Sequence, residues 1–334
     1  MSAELDTTLD AAALARLGRA LARVITPRAV QACLGVSAVV AVPRARAVPP
    51  SPLPPAAAPI WLWCAGRAVE VAVLTRALGA EVVAAAGAAG LCAQDGDAVV
   101  PTVRLAPLGV GLVLCDLADH AADDRVPWID DSTLHLLGAL PPRPPRWLDV
   151  GTGPTALPLA IGAGATTIHA TDLNPRAIAL ATRGLALAGR ADVTVATAAL
   201  LDGAPAGWDL ITMNAPMPAS LTAATSTWHR GPDDLLAALW PAARARLAPG
   251  GEVLVHGADD GDRFAPPAAL GGAVTIARYT PGDGPGFAIT RWRPDASPVH
   301  RRGVIVLDAA HPFVRRADLD AIAGDGPHVG VDLR

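Results

Sequence analysis

The stretch Arg146–Asp172, RWLDVGTGPTALPLAIGAGATTIHATD, predicts the fold of this chain. Its apolar run Trp147–Val150 predicts a buried strand, and a glycine-containing loop follows before an apolar helix begins. Thr167–Thr171 predicts a second strand, which Asp172 ends. This order of strand, glycine loop, helix, strand and acid is typical of the nucleotide-binding half of a doubly wound α/β fold, in which the acid holds ribose hydroxyls.

The glycine loop differs from a dinucleotide-binding loop. Asp149 stands two residues before Gly151, and Gly153 follows, but there is no third glycine in the G-x-G-x-x-G spacing. Asp149-x-Gly151-x-Gly153 resembles motif I of the class I S-adenosylmethionine (SAM) methyltransferases. It departs from the fuller family pattern at Thr155, where that pattern has another glycine. A plain structural turn is the alternative interpretation.

The resemblance implies a Rossmann-like class I methyltransferase domain, with a mostly parallel sheet and SAM as cofactor. The two glycines would let SAM approach the backbone, and Asp172 would hold its ribose hydroxyls. Asp149 would order the loop or bind the amino-acid part of SAM through water. The implied cofactor-binding residues are Asp149, Gly151, Thr152, Gly153, Asp172 and Leu173. An acid often contacts the adenine amino group from the position that Ala198-Ala199 occupies here. No residue of this sequence is therefore assigned to the adenine contact.

Composition narrows the function classes. Of the 334 residues, 17% are charged and 51% are hydrophobic, so the chain can bury a sizeable core and hold two domains. The net charge of −4 argues against a general nucleic-acid or membrane-surface binder, although not against a local basic patch. The four cysteines are far apart and predict structural thiols rather than a metal site. The N-terminus MSAELDTTLD is unlike a signal peptide, and we expect a soluble cytoplasmic protein with no membrane-spanning helix.

The N-terminal part, residues 1–120, is predicted to be a separate accessory domain in front of a methyltransferase domain at 121–334. Leucines at helical spacing predict an amphipathic helix over Leu5–Val24. Thr26-Pro27 predicts the start of a second helix over Arg28–Leu34, and Pro49–Pro59 predicts a linker or surface loop.

Two further helices, Ala68–Leu78 and Ala80–Ala89, come before segments that predict a β-hairpin, an order that suggests a winged-helix-like module. Such modules bind DNA or pack on a catalytic domain or a second subunit. The helix within Gly79–Gly90 has one charge, Glu81, and no arginine, whereas a groove-reading helix needs basic and polar side chains. We therefore favour packing, including a homodimer, over DNA binding.

The segment before the glycine loop is acidic and then proline-rich, with a helix predicted over Ser132–Leu140. In methyltransferases of this class the segment commonly covers the cofactor, so Trp128, Asp131 and Thr133 are candidate lid residues. A solvated linker is an equally good interpretation of these residues.

The predicted fourth strand, Trp208–Met213, runs directly into Asn214-Ala215-Pro216-Met217. Ligands collect at the carboxyl ends of strands in this fold. The tetrapeptide resembles the N-P-P-[YF] motif IV of methyltransferases that modify planar nitrogens, such as glutamine amides and exocyclic base amines, and Asn214 and Pro216 match it. The resemblance implies that Asn214, Ala215, Pro216 and Met217 form the catalytic site, with Asn214 Oδ1 and the Ala215 carbonyl accepting from substrate N–H groups. A turn capped by Asn214 is the alternative interpretation.

The segment after this motif strengthens the resemblance, which covers about Trp128–Leu307. Arg230–Leu235 resembles the loop and helix start that follow motif IV in release-factor glutamine N5-methyltransferases, and Trp228 and His229 just before it are candidate substrate contacts. Phe287–Trp292 and Gly303–Leu307 are expected to form the last antiparallel strand pair. His256 and His300 have no partner nearby in sequence and are expected to be core or surface residues.

The sequence thus favours a SAM-dependent methyltransferase that modifies a planar nitrogen. Ala215, Met217 and the low positive charge favour a small-molecule substrate, such as one from secondary metabolism. The alternatives are a protein glutamine or nucleobase N-methyltransferase, a small-molecule O-methyltransferase, and a SAM-responsive DNA-binding regulator that is not an enzyme.

Overall fold

The computed structural model describes residues 10–109, 111–163, 167–221, 230–259, 264–280, 286–324 and the backbone of 331–332. The chain divides into two compact units. The first unit contains residues 1–130, 153–162 and 176–191, and the second contains 131–152, 163–175 and 192–334. The division into domains at residue 120 stays a prediction.

The elements are numbered in chain order. The helices are α1 Ala11–Val24, α2 Pro27–Leu34, α3 Ala58–Trp63, α4 Val71–Leu78, α5 Ala80–Ala88, α6 Asp131–Ala139, α7 Ala156–Ala160, α8 Pro175–Ala188, α9 Leu235–Arg244 and α10 Arg316–Ala323. The strands are β1 Val69–Glu70, β2 Cys92–Asp95, β3 Ala98–Pro101, β4 Arg104–Leu108, β5 Gly111–Cys115, β6 Arg146–Val150, β7 Thr167–Asp172, β8 Val193–Thr197, β9 Trp208–Asn214, β10 Met217–Pro218, β11 Arg230–Gly231, β12 Leu247–Ala258, β13 Ala273–Tyr279, β14 Phe287–Arg293, β15 Val299–Ile305 and β16 Val331–Asp332.

The predicted helix Leu5–Val24 begins at Ala11 after an Asp10 cap that was not predicted, and residues 5–9 lie outside the described part of the chain. The second helix begins after Thr26, the predicted cap. The Asp10 carboxylate accepts a hydrogen bond from the Ala13 amide at 2.6 Å, and the Thr26 hydroxyl accepts one from the Ala29 amide at 3.1 Å. Pro27 occupies the first position of α2, where its missing N–H costs nothing. The prediction of a helix over Arg28–Leu34 is confirmed, and it begins one residue earlier.

The middle of the first unit contains a helix, a short strand, two helices and a hairpin, in the order α3, β1, α4, α5, β2, β3. The three strands form an antiparallel sheet with β3 in the centre. The predicted helix Ala68–Leu78 starts later than expected because Val69–Glu70 pairs with β3. The strand Cys92–Asp95 was not predicted, because its single inward residue, Cys92, leaves no apolar alternation to detect.

A close helix contact also lies within the first unit. Gly18 of α1 faces the main chain of α8, and a Cβ added to Gly18 would overlap the carbonyl oxygen of Leu187. Only a glycine lets the two backbones approach this closely, so α1 and α8 are held together by a contact that no other residue at position 18 permits.

The second unit is built on a sheet whose described strands lie in the order β16-β15-β13-β14-β12-β9-β6-β7-β8. The strands β12, β9, β6, β7 and β8 are parallel to one another, and β14 is antiparallel to its two neighbours. The prediction of a mostly parallel, Rossmann-like sheet is confirmed.

The predicted last strand pair is wrong. The strand β14 pairs with β12 and with β13, whereas β15 pairs with β13 in the parallel direction. The unpredicted strand Ala273–Tyr279 thus lies between the two expected partners. This strand was not predicted because six of its seven residues are buried, so its sequence shows no alternation of apolar and polar residues.

Tryptophans fill the core of the second unit. Trp208, Trp240 and Trp292 are fully or nearly fully buried in one cluster, and the rings of Trp240 and Trp292 meet edge to face with centroids 5.9 Å apart. The indole N–H groups of Trp208 and Trp292 donate to backbone carbonyls of Pro205 and Gly271. These side chains fix β9 and β14 and hence the strand ends described below.

In the part of the chain that the structure describes, no single helix is long and apolar enough to cross a membrane. Two bent pairs, α1 with the segment Pro27–Arg44 and α4 with α5, meet that test of length and composition only when joined.

The contact at Gly18 predicts a destabilised variant. Gly18→Ala should lower the free energy of unfolding by about 1–3 kcal/mol, because the added methyl group forces α1 and α8 apart. Gly87→Ala is the matched control: Gly87 lies in helix α5 with open space around it, and its replacement should stabilise by about 0.5–1 kcal/mol. Urea denaturation of both variants measures the difference, and equal effects would contradict the contact.

Candidate functional site

Four polar side chains lie near the carboxyl ends of neighbouring parallel strands. Asp149 is the last residue but one of β6, Asp172 ends β7, and Asn214 ends β9. His256 of β12 pairs in register with Asn214. Because β6 lies between β7 and β9, these ends form the crevice in which ligands bind in open α/β sheets.

The Asp149 carboxylate is buried, with 2% of the residue exposed, and two hydroxyl groups satisfy it. Thr212 of β9 donates to Oδ1 at 2.5 Å, and Thr152 of the glycine loop donates to Oδ2 at 2.7 Å. The Trp147 indole in turn donates to the Thr212 hydroxyl at 2.7 Å. The chain of hydrogen bonds ties the glycine loop to two strands, which is the loop-ordering role expected for Asp149.

The glycine loop has the shape of a cradle. Gly151 and Gly153 have φ of 65° and 57°, and an added Cβ at either would find no atom within 4 Å. The backbone therefore faces open space where a ligand can approach it. Thr155, in place of the family's further glycine, also has a left-handed φ of 59°, which is costly for a β-branched residue. The family's glycine pattern thus matches the conformation of this loop even where the residue differs.

The end of β7 presents both predicted residues to solvent. The half-buried Asp172 accepts a hydrogen bond from the Asn174 amide at 2.8 Å, which fixes its carboxylate at the strand end. Leu173, the next residue, is 58% exposed, unusual for a leucine in a folded chain. A partly exposed carboxylate beside an exposed apolar side chain fits a ribose and its attached base.

Asn214 is held at both ends of its amide. Its Nδ2 donates to the Ser132 hydroxyl at 2.7 Å, and its Oδ1 lies 2.8 Å from Nδ1 of His256. Nε2 of His256 lies 2.6 Å from the hydroxyl of Tyr279. Since an amide oxygen only accepts, His256 carries its proton on Nδ1 and accepts from Tyr279 on Nε2. The amide keeps one acceptor and one donor position for a ligand.

Both histidines near this motif are neutral. Burial lowers the pKa of His256 to about 3, with the neighbouring His135 lowering it further. Burial also lowers the pKa of His135 to about 4, although Asp131 partly opposes the shift. His256 is a core residue, one of the two placements expected, and its partner Asn214 lies 42 residues away in sequence.

The first turns of α6 complete the site. Ser132 and His135 lie on one face of this helix at i and i+3. Ser132 binds Asn214, whereas the His135 ring stacks on Tyr279 with centroids 4.0 Å apart. His135 Nδ1 also accepts from the Val314 amide at 3.0 Å.

The candidate lid and substrate-contact residues differ from one another in burial and position. Asp131 is exposed at the start of α6, and Thr133 is buried. Trp128 is buried inside the first unit, where its indole donates to the Val39 carbonyl at 2.9 Å. The candidates Trp228 and His229 lie outside the described residues. A lid role for Trp128, Asp131 and Thr133, and substrate contact by Trp228 and His229, stay predictions.

The remaining residues of the tetrapeptide are half-buried. The Ala215 amide donates to the His256 carbonyl at 2.8 Å, a hydrogen bond that the proline of the family motif could not make. Met217 begins β10, which pairs with β11 at Arg230. The segment whose sequence resembles the loop after motif IV thus lies beside the motif.

The described residues contain no group of three or more His, Cys, Asp or Glu side chains that could hold a metal ion. They do fit SAM: the open glycine cradle, the Asp172 carboxylate and the exposed Leu173 supply the contacts that such a cofactor needs. Bound SAM would supply an electrophilic methyl group on a sulfonium.

Comparison with known proteins bears on the fold around this site. Residues 126–259 match the family model of the methyltransferase small domain. A release factor glutamine methyltransferase from Deinococcus radiodurans is 36% identical over 126 residues, which are 34% of this chain and 45% of that protein. The chain thus spans less than half the length of this curated relative. Residues 126–259 are therefore similar to a methyltransferase small domain, and the sheet order is that of the Rossmann-like class I fold.

Solved structures that resemble the chain include proteins of low sequence identity. A ribosomal protein L11 methylase from Lactobacillus delbrueckii subsp. bulgaricus is 19% identical, with a TM-score of 0.35, over 48% of this chain and 77% of that one. A predicted O-methyltransferase, Atu636, from Agrobacterium tumefaciens is 17% identical, with a TM-score of 0.42, over 59% and 97%. TrmK from M. capricolum, solved with S-adenosylhomocysteine, is 8% identical, with a TM-score of 0.39, over 56% and 75%.

Burial of Asp149 predicts a pH-dependent gain from its replacement. Burial raises the pKa of this carboxyl from 3.8 to about 6, although the Thr212 and Thr152 hydroxyls partly oppose the shift. Between these values the folded protein binds more protons than the unfolded chain, so folding stability falls as the pH rises through this window. Asp149→Asn does not titrate. Its free energy of unfolding relative to wild type should therefore rise by up to about 3 kcal/mol between pH 4 and pH 7.

Urea unfolding of both proteins without SAM, at several pH values, measures this difference. Asp202→Asn, at an exposed carboxyl, is the matched control and should give a curve parallel to wild type. A parallel curve for Asp149→Asn as well would show that Asp149 stays ionised across the window.

Proposed function

We propose that the protein transfers the methyl group of SAM to a planar nitrogen, and that a primary amide of the glutamine type is its acceptor. The observation that carries the proposal is the Asn214 amide, held by Ser132 and His256 at the carboxyl end of β9. This amide is half-buried and keeps one acceptor and one donor position. A primary amide offers the complementary N–H and carbonyl.

The reaction asks mainly for positioning. Asn214 Oδ1 would accept from the acceptor N–H and turn the nitrogen toward the methyl group, and the Ala215 carbonyl would accept from the second N–H. Such positioning of two reactants supplies a large share of the rate enhancement when the electrophile is already reactive. The Ser132 and His256 contacts hold the Asn214 amide in one rotamer before the acceptor arrives.

The same contacts bear on how the acceptor loses its proton. An alcohol oxygen and an amide nitrogen both release a proton as they are methylated, while the sulfonium leaves as S-adenosylhomocysteine. His256 is the histidine beside Asn214, but its two ring nitrogens are engaged with Asn214 and Tyr279 and burial keeps its pKa near 3. It is therefore a poor base near neutral pH, so the proton would leave through water, and the choice of nitrogen rests on the positions that the Asn214 amide offers.

The relative from Deinococcus radiodurans, named a release factor glutamine methyltransferase, supports a glutamine amide as the acceptor. The preference for a small molecule, which rests on Ala215 and Met217, is not supported by the contacts or the comparisons and remains a prediction. The winged-helix-like role of residues 58–101 is likewise a proposal, which the order β1, α4, α5, β2, β3 supports.

Labelled SAM separates the acceptor classes. The full chain is incubated with methyl-labelled SAM and an extract of its own cells, and the products are split by size into protein, nucleic acid and small molecules. We expect label in protein that yields N-methylglutamine on complete proteolytic digestion. Label only in small molecules or in nucleic acid would overturn the glutamine proposal, and an O-methyl product would overturn nitrogen transfer.

Asn214→Ala tests the role of the amide. It should leave the affinity for S-adenosylhomocysteine within a few-fold of wild type and lower turnover by about a hundredfold, the usual scale for losing a positioning group. Asn214→Asp should retain more activity, because the Ser132 hydroxyl can turn to donate and His256 Nδ1 still donates. Calorimetry and label transfer measure the two effects.

Gln94→Ala, at an exposed amide in the first unit, controls for losses of activity during preparation of a variant and should match wild type. If Asn214 only caps the turn before Pro216, Asn214→Ala would cost about 1 kcal/mol of stability and leave turnover within a few-fold. That outcome would end the N-methyl assignment and promote an O-methyl acceptor.

A further inference from the structure

A second cavity lies entirely within the first unit. Its volume is about 320 Å³. Apolar residues make up most of its lining and include Leu34, Val42, Trp61 and Leu117. Three charged side chains also line it: Arg67 and Asp119 are exposed, and Arg104 of β4 is buried with 7% exposed. Cavities of this size, with a few fixed polar groups among apolar residues, are typical of small-molecule sites.

The Arg104 guanidinium is positioned without a counter-charge. Its Cζ lies 4.5 Å from the centre of the Trp128 ring, a cation–π contact. On the other side a Cβ added to Gly66 would lie 3.4 Å from Arg104 Cδ, so the stem is closely packed. Nε is shielded from solvent and has no hydrogen-bond partner, and no carboxylate among the described residues lies within 4 Å of the guanidinium.

The groups around Arg104 do not neutralise it. Burial raises the pKa of the Cys64 thiol far above its usual range and that of the Cys115 thiol to about 12, so both are neutral. Burial lowers the pKa of Arg104, and the like charge of Arg125 lowers it further. A guanidinium nevertheless stays protonated near neutral pH.

The nearby carboxylates are engaged or exposed. Both oxygens of Asp116 bind Arg176, at 2.8 and 2.5 Å, and one of them also accepts from the Val126 amide. Asp119 lies at an exposed position of the lining. Burying an unpaired charge costs desolvation free energy, and a bound anion beside Arg104 would offset that cost.

We propose that this cavity binds a small carboxylic acid with an apolar body, its carboxylate on Arg104 and its body against Leu34, Val42 and Trp61. A planar guanidinium pairs with a carboxylate through two parallel hydrogen bonds. The single buried cation balances one negative charge, whereas a phosphate dianion would leave a second charge without a buried partner. The two exposed charges of the lining, Arg67 and Asp119, have opposite signs and do not change this balance.

Phenylacetate and its neutral isostere phenylacetamide test the proposal on the full wild-type chain. The titrations are run with S-adenosylhomocysteine at saturation, so that the methyltransferase site does not contribute. We expect phenylacetate to bind one to one and at least tenfold tighter than phenylacetamide. Equal binding of the two, or no binding of phenylacetate, would overturn the proposal, and tighter binding of inorganic phosphate would replace the carboxylate with a phosphate ligand.

Arg104→Met removes the charge while keeping the length of the side chain. It should lower phenylacetate affinity tenfold to a hundredfold and should not lower the melting temperature of the ligand-free protein. Arg76→Met, at an exposed arginine on α4 outside the lining, is the matched control and should bind like wild type. Unchanged phenylacetate affinity in Arg104→Met would overturn the assignment of Arg104, and a purely structural arginine would instead show a large loss of melting temperature with no carboxylate preference in wild type.

Discussion

The buried carboxylate of Asp149 is the constraint on which the methyltransferase site depends. Two threonine hydroxyls, from Thr152 and Thr212, take the place of water around it. Such a group costs desolvation energy that an apolar residue would not. What the fold gains is a fixed link between the glycine loop and the neighbouring strand, so the shape of the cradle follows from the position of β9.

The same strand orients the second half of the site. Thr212 and Asn214 are two residues apart on β9 and therefore point to the same face of the sheet. Thr212 holds the cofactor loop through Asp149, and Asn214 presents its amide where the acceptor is expected. A slip of β9 by one residue would remove both contacts at once. One strand register thus sets the distance between the cofactor loop and the amide.

The sequence predicts the parts of this site that follow strands along the chain. Asp172 and Asn214 each stand at the end of an apolar run and Asp149 stands one residue before the end of one, and the structure brings those three strand ends together. Ser132 and Tyr279 carry no such signal, and His256, which also follows an apolar run, shows no partner in the sequence, because these roles come from contacts across 82, 23 and 42 residues of sequence respectively. Likewise the last strand pair was mispredicted because a continuous apolar strand does not show its pairing partner.

Two of the buried charged residues, Asp149 and Arg104, are accommodated in opposite ways. Asp149 can take up a proton, and its hydroxyl partners satisfy it in either state, so its burial needs nothing from outside the protein. Arg104 has no such alternative, because a guanidinium does not lose its proton near neutral pH and its thiol neighbours are neutral. The Trp128 ring offsets part of the cost, since a desolvated cation–π contact is worth about 2 kcal/mol, less than desolvating an ion. The remaining cost is lowest when an anion shares the cavity, and this difference between the two residues is why only Arg104 points to a ligand.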